Sequence, residues 1–170
     1  MDERIVIRMG DITEMDVDAI VNAANERLAG GGGVDGAIHR VAGPELAREC
    51  REIGRCATGS AVITLGYDLP CDYVIHTVGP IWMGGGEGEA ELLASCYESS
   101  LRVAGAQQLK TIAFSAISTG VYGFPLDKAC AIALKSVDEH LKENRQLTEV
   151  VMVCFGRGVF ESYSSAAASL

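Results

Sequence analysis

The chain has 170 residues, 48% of them hydrophobic, which favours one domain (residues 1–170) with a substantial core and excludes a mainly disordered protein. Acidic residues number 23 against 14 basic ones, a formal net charge of −9, and no basic stripe of the kind that binds duplex DNA or RNA is visible. A phosphate-bearing ligand would then be held by backbone N–H groups and helix dipoles, not by a clamp of lysines and arginines.

In chain order, Ile5-Val6-Ile7 predicts a short first strand that ends in a turn at Gly10-Asp11-Ile12-Thr13. Residues 18–23 form a compact apolar run, read as a buried strand, and 25–33 as a loop. A helix is expected over 34–41 and another from Pro44 to about Gly54, with proline at the first helical position. Strands follow at 61–65 and 73–78, separated by the turn Gly66-Tyr67-Asp68-Leu69-Pro70. After the flexible Gly84-Gly85-Gly86, the positions Leu92, Leu93, Cys96, Tyr97, Leu101 and Ala104 mark one face of a helix. A strand at 111–117, a helix over 125–141, a strand at 149–155 and a short closing helix complete the pattern. Strands alternating with helices argue for a layered α/β sheet with helices on both faces.

The cysteines, at 50, 56, 71, 96, 130 and 154, form no C-x-x-C pair, which speaks against zinc and thioredoxin-like chemistry. Several fall in apolar patterns, where cysteine behaves as a small hydrophobe, so the expectation is a reduced, cytoplasmic protein. Met1-Asp2-Glu3-Arg4 carries no secretory apolar region. No run approaches the roughly 20 apolar residues of a membrane span.

The chemistry concentrates in Val21-Asn22-Ala23-Ala24-Asn25 and the following Gly30-Gly31-Gly32-Gly33-Val34-Asp35-Gly36-Ala37-Ile38-His39. Glycines allow the backbone to approach a ligand closely, N–H groups at a helix start bind anions, and the amides of Asn22 and Asn25 can pair with hydroxyls. Gly31-x-Gly33-x-x-Gly36 satisfies the dinucleotide-binding pattern formally, but residues 24–29 separate it from the strand, whereas in that fold the glycines follow at once. No P-loop motif exists. A second strand–loop–helix unit carries Ser118-Thr119-Gly120-Val121-Tyr122-Gly123-Phe124-Pro125; it reads either as a tight turn or as the opposite wall of a diphosphate site. Asp35 is either a helix N-cap or a proton acceptor, made a better one when a bound diphosphate opposes the helix dipole. Asp11 is either an Asx turn or an acceptor for an exocyclic amine such as that of adenine. His39, about one turn after Asp35, could contact it at helical spacing or be structural, the structural role being favoured; His76 reads as a buried hydrogen-bonded residue and His140 as solvated. Trp82 fits either a cleft rim or packing under a loop. A Cys56–His39 nucleophile pair lacks anything to activate its thiol.

Together, Gly10 to Thr13, Asp18 to Asn25, the 30–39 run, Val74-Ile75-His76-Thr77-Val78-Gly79-Pro80 and Ile117 to Pro125 resemble the macrodomain family over nearly the whole chain. The closest likeness is to the MacroD-type ADP-ribosyl hydrolases, which also act on O-acetyl-ADP-ribose. The resemblance implies an α/β fold, a three-layer α/β/α sandwich around a mixed six- or seven-stranded sheet, with ADP-ribose in a cleft at the strand ends. It implies that Asp11, with the Ile12 backbone beside it, binds the adenine amine and that Phe155 stacks on the ring. Gly32, Gly33 and Val34, and Ser118, Thr119, Gly120, Val121, Tyr122 and Gly123, would wrap the diphosphate and distal ribose. Tyr122 and Phe124 would sit against that ribose, and Asn22 would join the ligand contacts. Asn25 and Asp35 match the pair on which catalysis depends in the hydrolytic branch. The segment Cys154-Phe155-Gly156-Arg157-Gly158-Val159 departs from the family by lacking the acidic residues usual there. The resulting expectation is a metal-free, cofactor-free monomeric hydrolase. Its ligands would be ADP-ribose or its O-acetyl ester, with ADP-ribosylated proteins as further partners. Neither DNA nor a membrane is expected. Alternatives are a non-catalytic ADP-ribose reader and a phosphatase on ADP-ribose 1″-phosphate.

Overall fold

A computed structural model describes residues 1–170. Its elements are β1 (Ile5–Met9), a single 3-10 turn (Ile12–Glu14), β2 (Ala19–Ala23), α1 (Gly33–Ala42), α2 (Pro44–Ile53), β3 (Ala61–Leu65), β4 (Tyr73–Thr77), α3 (Glu89–Ala106), β5 (Thr111–Phe114), α4 (Leu126–Glu143), β6 (Glu149–Cys154) and α5 (Arg157–Ala168). The strands form one six-stranded sheet in the order β1-β6-β5-β2-β4-β3. All neighbours pair in parallel except β3, which runs antiparallel to β4 at the edge. The sheet is therefore mixed and has six strands.

Helices cover both faces, so the central strands must be apolar on both sides. Along β2, Ala19 and Val21 enter one core with α3, α4 and α5, and Ile20 enters the other with α1 and α2. The same alternation puts Ile112 and Phe114 of β5 in the first core and Ala113 in the second. The larger core includes the fully buried Tyr97 and Tyr163, and Tyr97 packs on Phe114 with ring centroids 4.9 Å apart. The edge strand β3 is only half-buried at most positions.

Differences from the sequence-based reading have local causes. β5 ends at Phe114 and not at Ile117, because the Ser115 hydroxyl donates to the Val21 carbonyl at 3.0 Å and the chain turns away. The last strand stops at Cys154, leaving Phe155 outside it and exposed. His140 is half-buried on α4 rather than solvated; its Nε2 is enclosed without a partner, and burial lowers its pKa. All six cysteines are buried free thiols. No helix is long and apolar enough to cross a membrane.

Candidate active site

Five parallel strands point their carboxyl ends toward the same edge, where ligands of open α/β sheets bind. The segments leaving those ends line up as the strands do. Asp11 follows β1, Phe155 follows β6, residues 115–124 follow β5, residues 24–32 follow β2, and Val78-Gly79-Pro80 follow β4. Between the β5, β2 and β4 segments lies a cleft of about 390 Å³. Its walls are Ala23–Asn25, Gly31–Asp35, Gly79, Ala116, Ser118 and Gly120–Tyr122.

The β2 side is built from glycine. Gly33 has φ +57°, the left-handed region that favours glycine, and Gly32 caps α1 with no side chain in the way. The first N–H groups of α1 thus open onto the cleft, where they can bind an anion. Asp35 lies in the first turn of α1 and does not cap it. Its Oδ1 accepts a hydrogen bond from Asn22 Nδ2 at 2.9 Å and lies 3.4 Å from His39 Nε2, one helical turn on. Oδ2 faces Gly31, whose missing side chain leaves that oxygen accessible from the cleft. Burial raises the Asp35 pKa, against the lowering by the Asn22 hydrogen bond and His39. The contact with Asp35 that helical spacing allows His39 is therefore made.

Asn25 reaches the cleft wall, but its amide first closes its own loop. Nδ2 donates to the Gly30 carbonyl at 2.7 Å, and Oδ1 accepts from Ala29 N at 3.1 Å. Asn22, expected among the ligand contacts, is fully buried behind Asp35. In the alternation of β2 it follows Ile20 onto the face beneath α1. Its Nδ2 also lies 3.1 Å from His76 Nδ1, while its Oδ1 is buried without a partner, which costs about 1–3 kcal/mol.

The β5 side is held by bonds to the β4 segment. Ser118 adopts φ +66°, a strained conformation for a residue with a Cβ. Its hydroxyl donates to the Pro80 carbonyl at 2.8 Å, and Trp82 N donates to the Tyr122 carbonyl at 2.8 Å. Thr119 turns its hydroxyl back to the Ala116 carbonyl at 2.8 Å. Val121 is fully exposed at the rim. Phe124, expected against the ribose, is only 3% exposed and packs on Trp82 with centroids 4.8 Å apart; it supports the wall from behind. The Ile12 side chain is buried in the smaller core and is not available to a ligand. Asp11 forms the Asx turn: its Oδ1 accepts from Thr13 N at 2.9 Å and from the Thr13 hydroxyl at 2.7 Å.

Sequence reasoning missed Glu89. This carboxylate is 1% exposed and accepts from the N–H groups of Met83, Gly85 and Glu87 at 2.9, 2.8 and 2.6 Å. Burial raises its pKa, but the N–H groups of Met83, Gly85, Glu89 itself and Glu87 outweigh burial and hold it at about 2. One side chain thus gathers the 81–88 loop. The stability it confers is complete above the ordinary value of 4.5 and is lost as pH falls toward 2. Glu89→Gln turns one acceptor into a donor facing donors. We expect chymotrypsin to cut this variant at Trp82 well before it cuts the wild type, a difference read by timed digestion.

No group of three or more His, Cys, Asp or Glu side chains is placed to hold a metal ion. The Cys56–His39 pair does not form: the Cys56 thiol faces the carbonyls of Ala57 and His76, and burial pushes its pKa to about 11.

Known proteins resemble this chain in sequence and fold. The macro domain family model matches residues 21–133. Over 165 residues the chain is 50% identical to a Klebsiella pneumoniae protein named O-acetyl-ADP-ribose deacetylase, covering 95% of this chain and 94% of that one. It is 55% identical over 153 residues to the Xenopus laevis ADP-ribose glycohydrolase MACROD2, covering 89% of this chain and 37% of that longer protein. The crystal structure of a Trypanosoma brucei macrodomain in complex with ADP-ribose superimposes with a TM-score of 0.92 at 44% identity, covering 96% of this chain and 69% of that one. With the family model spanning the glycine-lined cleft and relatives at half identity or more along most of its length, the chain belongs to the macro domain family.

Proposed function

We propose that this protein is a hydrolase of ADP-ribose derivatives that deacetylates O-acetyl-ADP-ribose and releases mono-ADP-ribose from acidic side chains. The observation that carries the reading is Asp35. Its carboxylate is anchored through Oδ1 and offers Oδ2 to the cleft beside a glycine-built helix start. The names of the Klebsiella and Xenopus relatives support the same chemistry.

In this reading the ligand lies along the strand ends. Asp11 and Phe155, on the neighbouring ends of β1 and β6, take the adenine. The N–H groups of Gly32, Gly33 and Val34, and the 118–123 loop, take the diphosphate. The distal ribose lies near Asn25, Asp35 and Tyr122. Asp35 Oδ2 accepts a proton from water as the water oxygen bonds to the ester carbonyl carbon of an acetyl group, or to the anomeric carbon of a protein-linked ribose. The bond from that carbon to the ribose oxygen, or to the side-chain carboxyl oxygen, breaks in turn; the ribose oxygen takes up the proton that Asp35 accepted, whereas the side chain leaves as a carboxylate and that proton passes to solvent. The second hydrogen of the Asn25 amide orients a ribose hydroxyl, which fixes the attack geometry.

The test is incubation with O-acetyl-ADP-ribose and with a protein mono-ADP-ribosylated on glutamate, followed by mass spectrometry, with and without a chelator. The expected result is release from both substrates at a rate that the chelator leaves unchanged. Tight ADP-ribose binding with no release from either substrate would make the protein a reader instead. Loss of rate on chelation, restored by a metal, would overturn metal independence.

A further inference from the structure

Behind Asp35, outside the cleft, three polar side chains form a row across the sheet. Period-two alternation turns Asn22 of β2, His76 of β4 and Thr64 of β3 to the face covered by α1 and α2. Asn22 and His76 are register partners, and Thr64 stands opposite Val74 on the adjacent antiparallel strand. All three are at most 2% exposed.

Their hydrogen bonds have one consistent direction. An amide nitrogen only donates, so Asn22 Nδ2 spends one hydrogen on Asp35 Oδ1 and the other on His76 Nδ1. His76 Nδ1 is therefore an acceptor, and the neutral ring carries its hydrogen on Nε2. That hydrogen goes to Thr64 Oγ1 at 2.9 Å. Thr64 passes its own to the carbonyls of Leu65 and Val74, at 3.2 and 3.5 Å. Turning the Asn22 amide over would set its oxygen against a carboxylate oxygen and a ring lone pair. The tautomer of His76 thus dictates how Asn22 presents itself, at the expense of leaving Asn22 Oδ1 buried and unpaired.

We propose that Thr64 and His76 are positioning residues for Asp35: Thr64 selects the His76 tautomer, and that tautomer fixes the Asn22 amide with its N–H groups toward the Asp35 carboxylate. The proposal rests on Asp35 being the proton acceptor of the reaction above. The titratable groups around Asp35 are His39 on α1, which lies against it, Cys50 on α2, and His76 on β4, which is separated from it by Asn22. Burial holds His76 at about 3 and pushes the Cys50 thiol to about 11, so both are neutral at neutral pH. His39 is left in place by the substitutions below.

Thr64→Val keeps the volume and removes the hydroxyl. His76 then carries its hydrogen on Nδ1, and Nε2 is left to the Cys50 thiol, 3.9 Å away. Asn22 must turn its oxygen to Nδ1–H, and that oxygen then also faces Asp35. We expect the acid limb of the pH–rate profile to rise by about one to two pH units, the loss of a hydrogen bond to a charged group. Thr64→Ser restores the limb. Asn22→Ala shifts it the same way, and adding Thr64→Val to Asn22→Ala shifts it no further. A Thr64→Val protein with a lower Tm but a wild-type limb would overturn the proposal and leave Thr64 a purely structural residue. If Asp35→Ala retains turnover, the reading of Asp35 fails instead, whatever Thr64→Val does. An independent check uses the unmodified protein: nitrogen NMR of His76 is expected to show hydrogen on Nε2, and hydrogen on Nδ1 overturns the proposal without any variant.

Discussion

Asp35→Ala is expected to lower kcat for release from O-acetyl-ADP-ribose by about 10²–10⁴-fold, the range contributed by a positioned general base, with ADP-ribose still bound. The split follows from the site's construction. In the proposed reaction the ligand phosphates meet backbone N–H groups, which the substitution leaves in place, whereas the water loses its proton acceptor. Calorimetry of ADP-ribose binding beside single-turnover rates checks both halves. Asp35→Asn adds a stability signature. Burial raises the Asp35 pKa above the ordinary 3.8 despite Asn22 and His39. A carboxylate raised in the folded state stabilises the fold below its unfolded pKa, and that stability is lost as pH rises through the folded value. An uncharged amide at this position avoids the loss. The Tm of Asp35→Asn is therefore expected to exceed that of the wild type at about pH 8, and the gap to close below about pH 3.8. A variant that is less active and more stable marks a group kept for chemistry at a cost in stability. Equal Tm values across the whole pH range would contradict the burial argument.

Gly36→Ala carries the second large effect. A Cβ at Gly36 would overlap the Gly31 carbonyl oxygen and come within 3.3 Å of Arg40 Nη1. Arginine can swing aside, but the carbonyl belongs to the backbone of the loop that lines the cleft. The 30–33 loop must therefore move, at a cost of about 1–3 kcal/mol for overpacking. That displacement carries the α1 N–H groups away from the position proposed for the diphosphate. The expected result is a lower Tm together with at least about tenfold weaker ADP-ribose binding, equivalent to about 1.4 kcal/mol. Gly32→Ala, with open space around its Cβ, serves as the control and is expected to leave the Tm close to wild type. Unchanged affinity in Gly36→Ala would show that the loop relaxes without moving its N–H groups.

Local pattern made the strands and helices legible. Apolar runs such as Ala19-Ile20-Val21 suit strands covered on both faces, and the spacing of Leu93, Cys96, Tyr97 and Leu101 suits one helical face. The neighbourhood of Asp35 was legible because the glycines and Asn25 adjoin it in sequence. Residues whose roles depend on distant neighbours were not. Thr64 reads as an ordinary β-branched strand residue, and only the antiparallel placement of β3 beside β4 brings it to His76. Asn22 looked like a ligand contact because it precedes the loop, yet strand alternation turns it inward. Phe124 sits in the loop motif but packs on Trp82. Glu89 stands among Glu87 and Glu91, and nothing in that acidic stretch marks which carboxylate folds back over its own loop.

The supports of Asp35 and the walls around the ligand come from different parts of the molecule. The carboxylate rests on side chains of central and edge strands, whereas the opposite wall is Gly79 and the 116–122 segment, bonded to the chain after β4 through Ser118–Pro80 and Trp82–Tyr122 contacts. Loops move on nanosecond to microsecond timescales, and strands inside a packed sheet do not. The side chains that aim Asp35 therefore belong to the rigid part of the fold, and rearrangement of the loops around the ligand leaves them in place. Turnover then needs no reassembly of the catalytic geometry between cycles.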